Sequence, residues 1–239
     1  MQTLKFLGRG SAFNIKEGNT SAYIKENGNL LLLDCGENIF QKIIETKLLD
    51  DIKEVNIAIT HCHSDHVGSL SSLILYCYFI KHIKINVYLA NSNLVGLLDS
   101  MGVANEYCEF YNCIFNPSLL IKNMNIEIGF IPTDHCKEIC SYGIIFAKEK
   151  DKVIYYSGDC NNIDEGIINA LKEGNIIEFY QDTCLADYDG NVHLSLRKLC
   201  ELIPKEYRHK VYCMHIDCPE LIEKAKTEGF NVVEVEEVK

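Results

Sequence analysis

The pattern of apolar runs predicts an α/β fold, a four-layer αββα sandwich in which two mixed sheets pack face to face with helices outside. Three observations carry this expectation. Strand-like runs come in two successive sets, each interleaved with helix-like stretches. Candidate metal-binding histidines and aspartates stand just after strand-like runs. No linker, low-complexity segment or short repeat divides the 239 residues, so one domain over 1–239 is the simplest count.

In chain order, Met1 to Leu7 alternates as a strand does and leads into Gly8-Arg9-Gly10-Ser11-Ala12, a glycine-bearing turn that lets backbone approach closely. Ser21 to Lys25 and Leu30 to Asp34 form a hairpin around Asn27-Gly28-Asn29. Glu37 to Leu48 reads as a helix, with Ile39, Phe40, Ile43 and Ile44 on one face. Val55 to Ile59 is a short buried strand. After a polar loop, Leu70, Leu73, Ile74, Cys77, Tyr78 and Lys81 follow helical spacing. Ile85 to Leu89 is a strand, and Leu94 to Ser100 a helix ended by Gly102. Glu106 to Phe115 and Asn125 to Ile131 read as strands. Tyr142 to Ala147 and Lys152 to Tyr156 pair around the charged turn Lys148-Glu149-Lys150-Asp151. Ile163 to Lys172 is an amphipathic helix closed by Gly174, and Ile176 to Tyr180 a strand. Ser195 to Leu202 is a helix stopped by Pro204, Lys210 to Met214 a strand, Pro219 to Thr227 the last helix and Val232 to Val235 the last strand.

The polar loop after Ile59 reads Thr60-His61-Cys62-His63-Ser64-Asp65-His66. In an extended loop alternate side chains point the same way, so His61 and His63 can reach one metal ion. Asp65 and His66 follow at a helix entrance and turn toward a second position nearby. Two ion sites from one loop is the economical reading.

Composition is that of an ordinary soluble globular chain. A formal charge of −11, from 34 acidic and 23 basic residues, argues against an extended nucleic-acid surface. It leaves room for a small anionic substrate drawn by bound cations. No apolar run has the length a membrane span needs. The chain shows no charged-then-apolar leader and no Cys-x-x-Cys pair, so its 12 cysteines read as small hydrophobes in a reducing cytoplasm. Cys62, Cys136, Cys160 and Cys213, close in sequence to candidate ligands, are expected to point away from the ions into the core.

His61-x-His63-x-Asp65-His66 after a buried strand resembles the signature of the metallo-β-lactamase superfamily. The remaining motifs occur in order across nearly the whole chain. Asp34-Cys35-Gly36 resembles the family's Asp-x-Gly, whose aspartate braces the ligand loop. Thr133-Asp134-His135 supplies a lone histidine, Ser157-Gly158-Asp159 resembles the Gly-Asp pair, and His215 ends a strand as the last ligand should. The resemblance implies His61, His63 and His135 on one divalent ion, Asp65, His66 and His215 on another, and Asp159 bridging both. Zinc is the first expectation; manganese or iron would accept the same ligands.

Within that superfamily the chain is most similar to the ribonuclease Z-like phosphodiesterase branch. Gly8-Arg9-Gly10-Ser11 resembles its Gly-x-Gly-Ser loop. Tyr180-Gln181-Asp182-Thr183 resembles its His-Glu-Ala-Thr motif, and Asn191-Val192-His193-Leu194-Ser195 its Gly-His-Ser-Thr motif. Asp182 stands for the glutamate, and Asn191-Val192 departs from the glycine. The resemblance implies a water held by Asp65 and activated between the ions as nucleophile. It gives His193, polarised by Asp182, the task of assisting the leaving oxygen. It also implies a homodimer.

His135 and Asp159 stand only 24 positions apart, too close for the protruding arm with which this branch grips tRNA. A cytoplasmic hydrolase of a small phosphodiester or short nucleotide is therefore expected. A thioester or lactone hydrolase of the same fold and an armless tRNA 3′-processing enzyme are the alternatives.

Overall fold

The computed structural model describes residues 3–113, 118–149 and 152–236. Its first sheet takes six strands in sequence order: β1 (Lys5–Gly8), β2 (Ser21–Glu26), β3 (Asn29–Leu33), β4 (Glu54–Ile59), β5 (Ile85–Leu89) and β6 (Cys108–Asn112). The second takes seven, again in order: β7 (Leu119–Ile121), β8 (Ile126–Thr133), β9 (Ser141–Glu149), β10 (Lys152–Tyr156), β11 (Ile176–Asp182), β12 (Val211–Met214) and β13 (Asn231–Val232). Each sheet starts antiparallel, through β1–β2–β3 and β7–β8–β9–β10, and ends parallel. The expected pair of mixed sheets is borne out.

Side-chain alternation builds the layers. Along β3, Leu30 and Leu32 join one apolar cluster while Leu31 and Leu33 join another. The first lies between the first sheet and helices α1 (Ile39–Glu45), α2 (Ser64–Val67), α3 (Leu70–Tyr76) and α4 (Asn93–Ser100). The second lies between the sheets, where Leu31, Leu33 and Phe6 meet Ile126, Ile144, Tyr156 and Tyr180. A third cluster packs α5 (Glu165–Glu173), α6 (Leu196–Leu202) and α7 (Pro219–Thr227) on the outer face of the second sheet. Strands buried on both faces must be apolar at every position, which is why β3 reads as an unbroken leucine run.

The sheets also touch at one edge. Phe6 bridges to Val235, and Gly10 bridges to both Asn19 and Ile216. Arg9 ties this corner: its guanidinium reaches Glu17 Oε2 at 2.6 Å and the Val233 carbonyl at 2.7 Å.

Several boundaries depart from the sequence reading. Helix α1 stops at Glu45 rather than Leu48, because the Thr46 hydroxyl donates back to the Lys42 carbonyl at 2.7 Å and Lys47 turns left-handed. The helix after the polar loop breaks into α2 and α3 and ends in a π turn, Cys77–Lys81. Strand β7 was not expected. The last strand is shorter because Val235 leaves β13 to pair with Phe6 instead. Phe115 and the Lys150-Asp151 part of the charged turn lie outside the described residues. Among the described residues no helix is long and apolar enough to cross a membrane.

Candidate metal centre

The site forms where β4, β8, β10, β11 and β12 all run out at the same edge of the sandwich. Directly after β4, the Thr60 amide donates to Asp34 Oδ1 at 2.8 Å and its hydroxyl to Oδ2 at 2.9 Å. His66 Nδ1 meets the same carboxylate at 2.9 Å, and His61 Nδ1 stands 3.0 Å from the Thr60 hydroxyl. With both Nδ1 atoms occupied, Nε2 of His61 and of His66 is free to face inward. Asp34 adopts φ +61, a conformation that costs a non-glycine residue about 1–3 kcal/mol and that these bonds hold in place. Gly36 sits where the brace meets the ligand loop: a Cβ there would lie 2.0 Å from the Asp65 carbonyl oxygen.

Three ring nitrogens then converge. His63 Nδ1 lies 3.0 Å from His61 Nε2 and 3.2 Å from His135 Nε2. His135 is aimed by its Nδ1, which donates to the Val192 carbonyl at 3.0 Å. Beside them is a second group, in which Asp65 Oδ2 is 3.3 Å from His66 Nε2 and 3.4 Å from His215 Nε2. Asp159 divides its carboxylate between the two groups. Its Oδ2 is 3.7 Å from His61 Nε2 and 3.8 Å from His135 Nε2, while its Oδ1 is 3.2 Å from His66 Nε2 and 3.4 Å from His215 Nε2. Gly158 makes this possible at φ +58, where a Cβ would meet the Tyr142 carbonyl oxygen at 2.6 Å.

This spacing suits cations. Ligand atoms 2.0–2.2 Å from a tetrahedral ion stand roughly 3.3–3.6 Å from one another. His66 Nε2 and Asp159 Oδ1 are buried without a hydrogen-bond partner among the described residues, a costly state that a bound cation relieves. The electrostatics agree. Burial alone would push the His215 imidazole down, but the carboxylates of Asp159 and Asp182 outweigh it and draw its pKa up to about 10. Burial likewise raises the Asp65 carboxyl, yet the imidazoles of His215 and His66 close beside it hold it well below the usual carboxylate range. Two groups, His61–His63–His135–Asp159 and Asp65–His66–Asp159–His215, can each hold a divalent ion.

At the end of β11, Asp182 Oδ2 accepts from His193 Nδ1 at 2.7 Å and from the Cys160 amide at 3.0 Å. The His193 ring lies over His215, with centroids 4.8 Å apart. Asn191, in the Asn191-Val192 pair that departs from the glycine of the resembled motif, accepts the His193 amide on its side-chain oxygen at 3.1 Å and donates to the Ala186 carbonyl at 2.9 Å. A carboxamide here organises the turn through hydrogen bonds in place of backbone freedom. Ser195 caps α6 by accepting the Lys198 amide.

The sequence matches, over residues 2–238, the family described as Anti-Pycsar protein Apyc1. The chain belongs to that family. Apyc1 proteins from Bacillus phage BSP38 and Paenibacillus harenae are similar to it: 28% identical over 232 residues and 27% over 222, each covering 89% of this chain and 88% of the relative. Three solved structures share the fold. They are the metallo-β-lactamase fold protein YhfI from Bacillus subtilis (TM-score 0.73, 17% identity, 98% of this chain and 95% of that one), a diphosphatase of the PhnP family (0.72, 17%, 98% and 95%) and human tRNase Z, short form (0.68, 16%, 99% and 97%). This Apyc1-family chain thus has the metallo-β-lactamase fold that the sequence motifs imply.

All nine expected site residues of this Apyc1-family chain, His61, His63, Asp65, His66, His135, Asp159, Asp182, His193 and His215, come together at one edge. Among the outer partners of the histidines, Asp34 is legible as the brace of the ligand loop, whereas the Thr60 hydroxyl and the Val192 carbonyl carry no signal in the sequence. Of the four cysteines near ligands, Cys160 and Cys213 are fully buried, and Cys62 faces Asn91 at 3.9 Å. Cys136 differs: its Sγ lies 3.7 Å from His63 Nε2.

Proposed function

We propose that this protein is a dinuclear-metal phosphodiesterase, a single domain over 1–239, whose substrate is a cyclic nucleotide. One observation carries the reading: the Asp159 carboxylate splits between two ligand groups, with the His193–Asp182 pair alongside. Kinship with proteins named Anti-Pycsar protein Apyc1 supports a cyclic nucleotide over other small phosphodiesters. Most of the described residues between His135 and Asp159 belong to β9 and β10, and a spacing of 24 positions is short for an arm that would grip a large RNA.

His61, His63 and His135 would hold one ion, Asp65, His66 and His215 the other, and Asp159 both. Zinc suits these donors best, with manganese or iron as substitutes. When bound, such a pair polarises the phosphoryl group and acidifies a water. Asp65, kept ionised by its histidine neighbours, orients that water by accepting a hydrogen bond. As the water oxygen attacks phosphorus and its proton passes to solvent, from which His193 is later reprotonated, the bond from phosphorus to the ribose 3′ oxygen breaks. His193, protonated through its partnership with Asp182, gives its proton to the departing oxygen, so that the cyclic diester opens to a 5′ monoester.

Turnover of a 3′,5′-cyclic nucleotide and of bis(p-nitrophenyl) phosphate by zinc- or manganese-loaded protein tests the reading. Asp65→Ala should abolish both reactions. His193→Ala should cost the cyclic nucleotide far more, because p-nitrophenolate leaves without a proton whereas a ribose alkoxide does not. A loaded protein that hydrolyses thioesters or lactones but no phosphodiester would replace this proposal with the acyl-hydrolase reading.

A further inference from the structure

Resting on the metal-site reading above, each candidate histidine ligand uses one nitrogen inward, and the other must be held from behind. For four of the five the holder is an oxygen: the Thr60 hydroxyl for His61, Asp34 for His66, the Val192 carbonyl for His135 and Asp182 for His215. His63 is the exception twice over. It alone turns Nδ1 to the cluster, and behind its Nε2 stands a sulfur, Cys136 Sγ, at 3.7 Å.

A neutral imidazole that offers Nδ1 to a cation carries its proton on Nε2. That N–H needs an acceptor, and the Cys136 sulfur lies within reach of a hydrogen bond to sulfur. The placement is fixed by short range: Cys136 follows the ligand His135, so the backbone that delivers one ligand also delivers the support of another. We propose that Cys136 is a positioning residue of the metal centre, accepting the His63 Nε2–H and thereby fixing the tautomer and ring orientation with which His63 meets the ion.

His63 is also the ligand in greatest need of such support. It is half-buried, whereas His61, His66 and His215 are almost wholly enclosed, so packing does little to hold its ring. Outer partners of ligating histidines are typically worth roughly 10–100-fold in metal affinity.

Chelator competition on the full-length protein loaded with zinc, and separately with cobalt, tests the assignment without relying on turnover. Cys136→Ala should weaken the affinity of one of the two ions by roughly 10–100-fold and leave the other nearly unchanged. Cys136→Ser keeps an acceptor and should restore most of the loss, and Cys140→Ala, at the exposed thiol of the same loop, should change nothing. Circular dichroism and thermal unfolding of the metal-free variants show whether the fold is kept. Parental affinity for both ions in Cys136→Ala would overturn the proposal. So would an equal loss in the serine and alanine variants, since sulfur would then act only by its bulk. A parent protein that takes up no divalent ion would instead overturn the metal-site reading on which this one stands.

Discussion

His193 Nδ1 stands 2.7 Å from one oxygen of Asp182, and the other oxygen of that carboxylate faces Nδ1 of the candidate ligand His215 at 3.3 Å. One buried aspartate thus supports both a candidate ligand and the group proposed to protonate the leaving oxygen. Burial pushes the His193 imidazole down, but attraction and hydrogen bonding to Asp182 win and raise its pKa above the ordinary histidine value. The protonated, donating form therefore persists to higher pH than in an ordinary histidine and is lost as pH rises further. In Asp182→Asn burial remains and the attraction goes, so the alkaline limb of the pH–rate profile should move to lower pH. Turnover of a cyclic nucleotide should fall by about 10²–10⁴-fold. Metal analysis of the same samples separates this effect from loosening of His215. An alkaline limb that does not move would remove His193 from the proton-transfer step.

Asp159→Ala should behave differently from loss of any other ligand. Asp159 alone reaches both groups, Oδ2 toward His61 and His135 and Oδ1 toward His66 and His215. Its removal should lower the content of both ions, whereas His135→Ala should lower only one. Metal-to-protein ratios after gel filtration check this. A variant that keeps two full equivalents would show that Asp159 is no bridge.

How far the site was legible in the sequence depends on range. His61, His63, Asp65 and His66 lie within six residues, and their local spacing announces them. His135, Asp159 and His215 come from separate strands and are found only because each follows an apolar run in a motif-like setting. Asp182 is legible from its motif although the apolar run ends at Tyr180; β11 runs two residues further because Gln181 and Asp182 pair with Cys213 and Met214. The layer arrangement was legible from alternation, as in Leu30 to Leu33. Short edge strands such as Leu119–Ile121 were not, since three residues hold no period and only pairing with Ile126 to Ile128 makes them a strand. Cys136 was legible as a residue near a ligand but not as a contact of His63, because that contact joins two loops 73 positions apart.

Gly36→Ala should be among the most damaging single changes. The added methyl would meet the Asp65 carbonyl oxygen at 2.0 Å and the Asn19 Cβ at 2.7 Å, with backbone on one side and a fully packed loop on the other. Overpacking of this kind costs about 3 kcal/mol. Relief by backbone movement would displace Asp65 from His66 and His215. Thermal unfolding and metal content should fall together, while Gly96→Ala, which meets nothing within 4 Å, should be neutral or slightly stabilising. A Gly36→Ala protein with parental melting temperature and metal content would show that the two loops can part freely.

Removal of metal should destabilise the protein, and more so at high pH. Asp34, Asp65, Asp159 and Asp182 are all buried within this one site, and a cation offsets their mutual repulsion. Ions present at a thousandfold their dissociation constant contribute about 4 kcal/mol, which for a chain of this size is roughly 10 °C in melting temperature. In the metal-free protein, protons on His66 and His215 supply part of the missing positive charge. Burial opposes them, but Asp159 and its neighbours raise both imidazoles above the ordinary value, His215 to about 10. A raised folded-state pKa contributes stability that is complete below the unfolded value, about 6.5, and fades as pH climbs toward 10. The metal-free form should therefore lose stability across that window while the loaded form, whose positive charge does not titrate, loses less. Melting temperatures with and without chelator at pH 6.5 and pH 9 test this: the gap should widen at the higher pH. A gap that stays constant or narrows would mean that protons on His66 and His215 do not substitute for the ions.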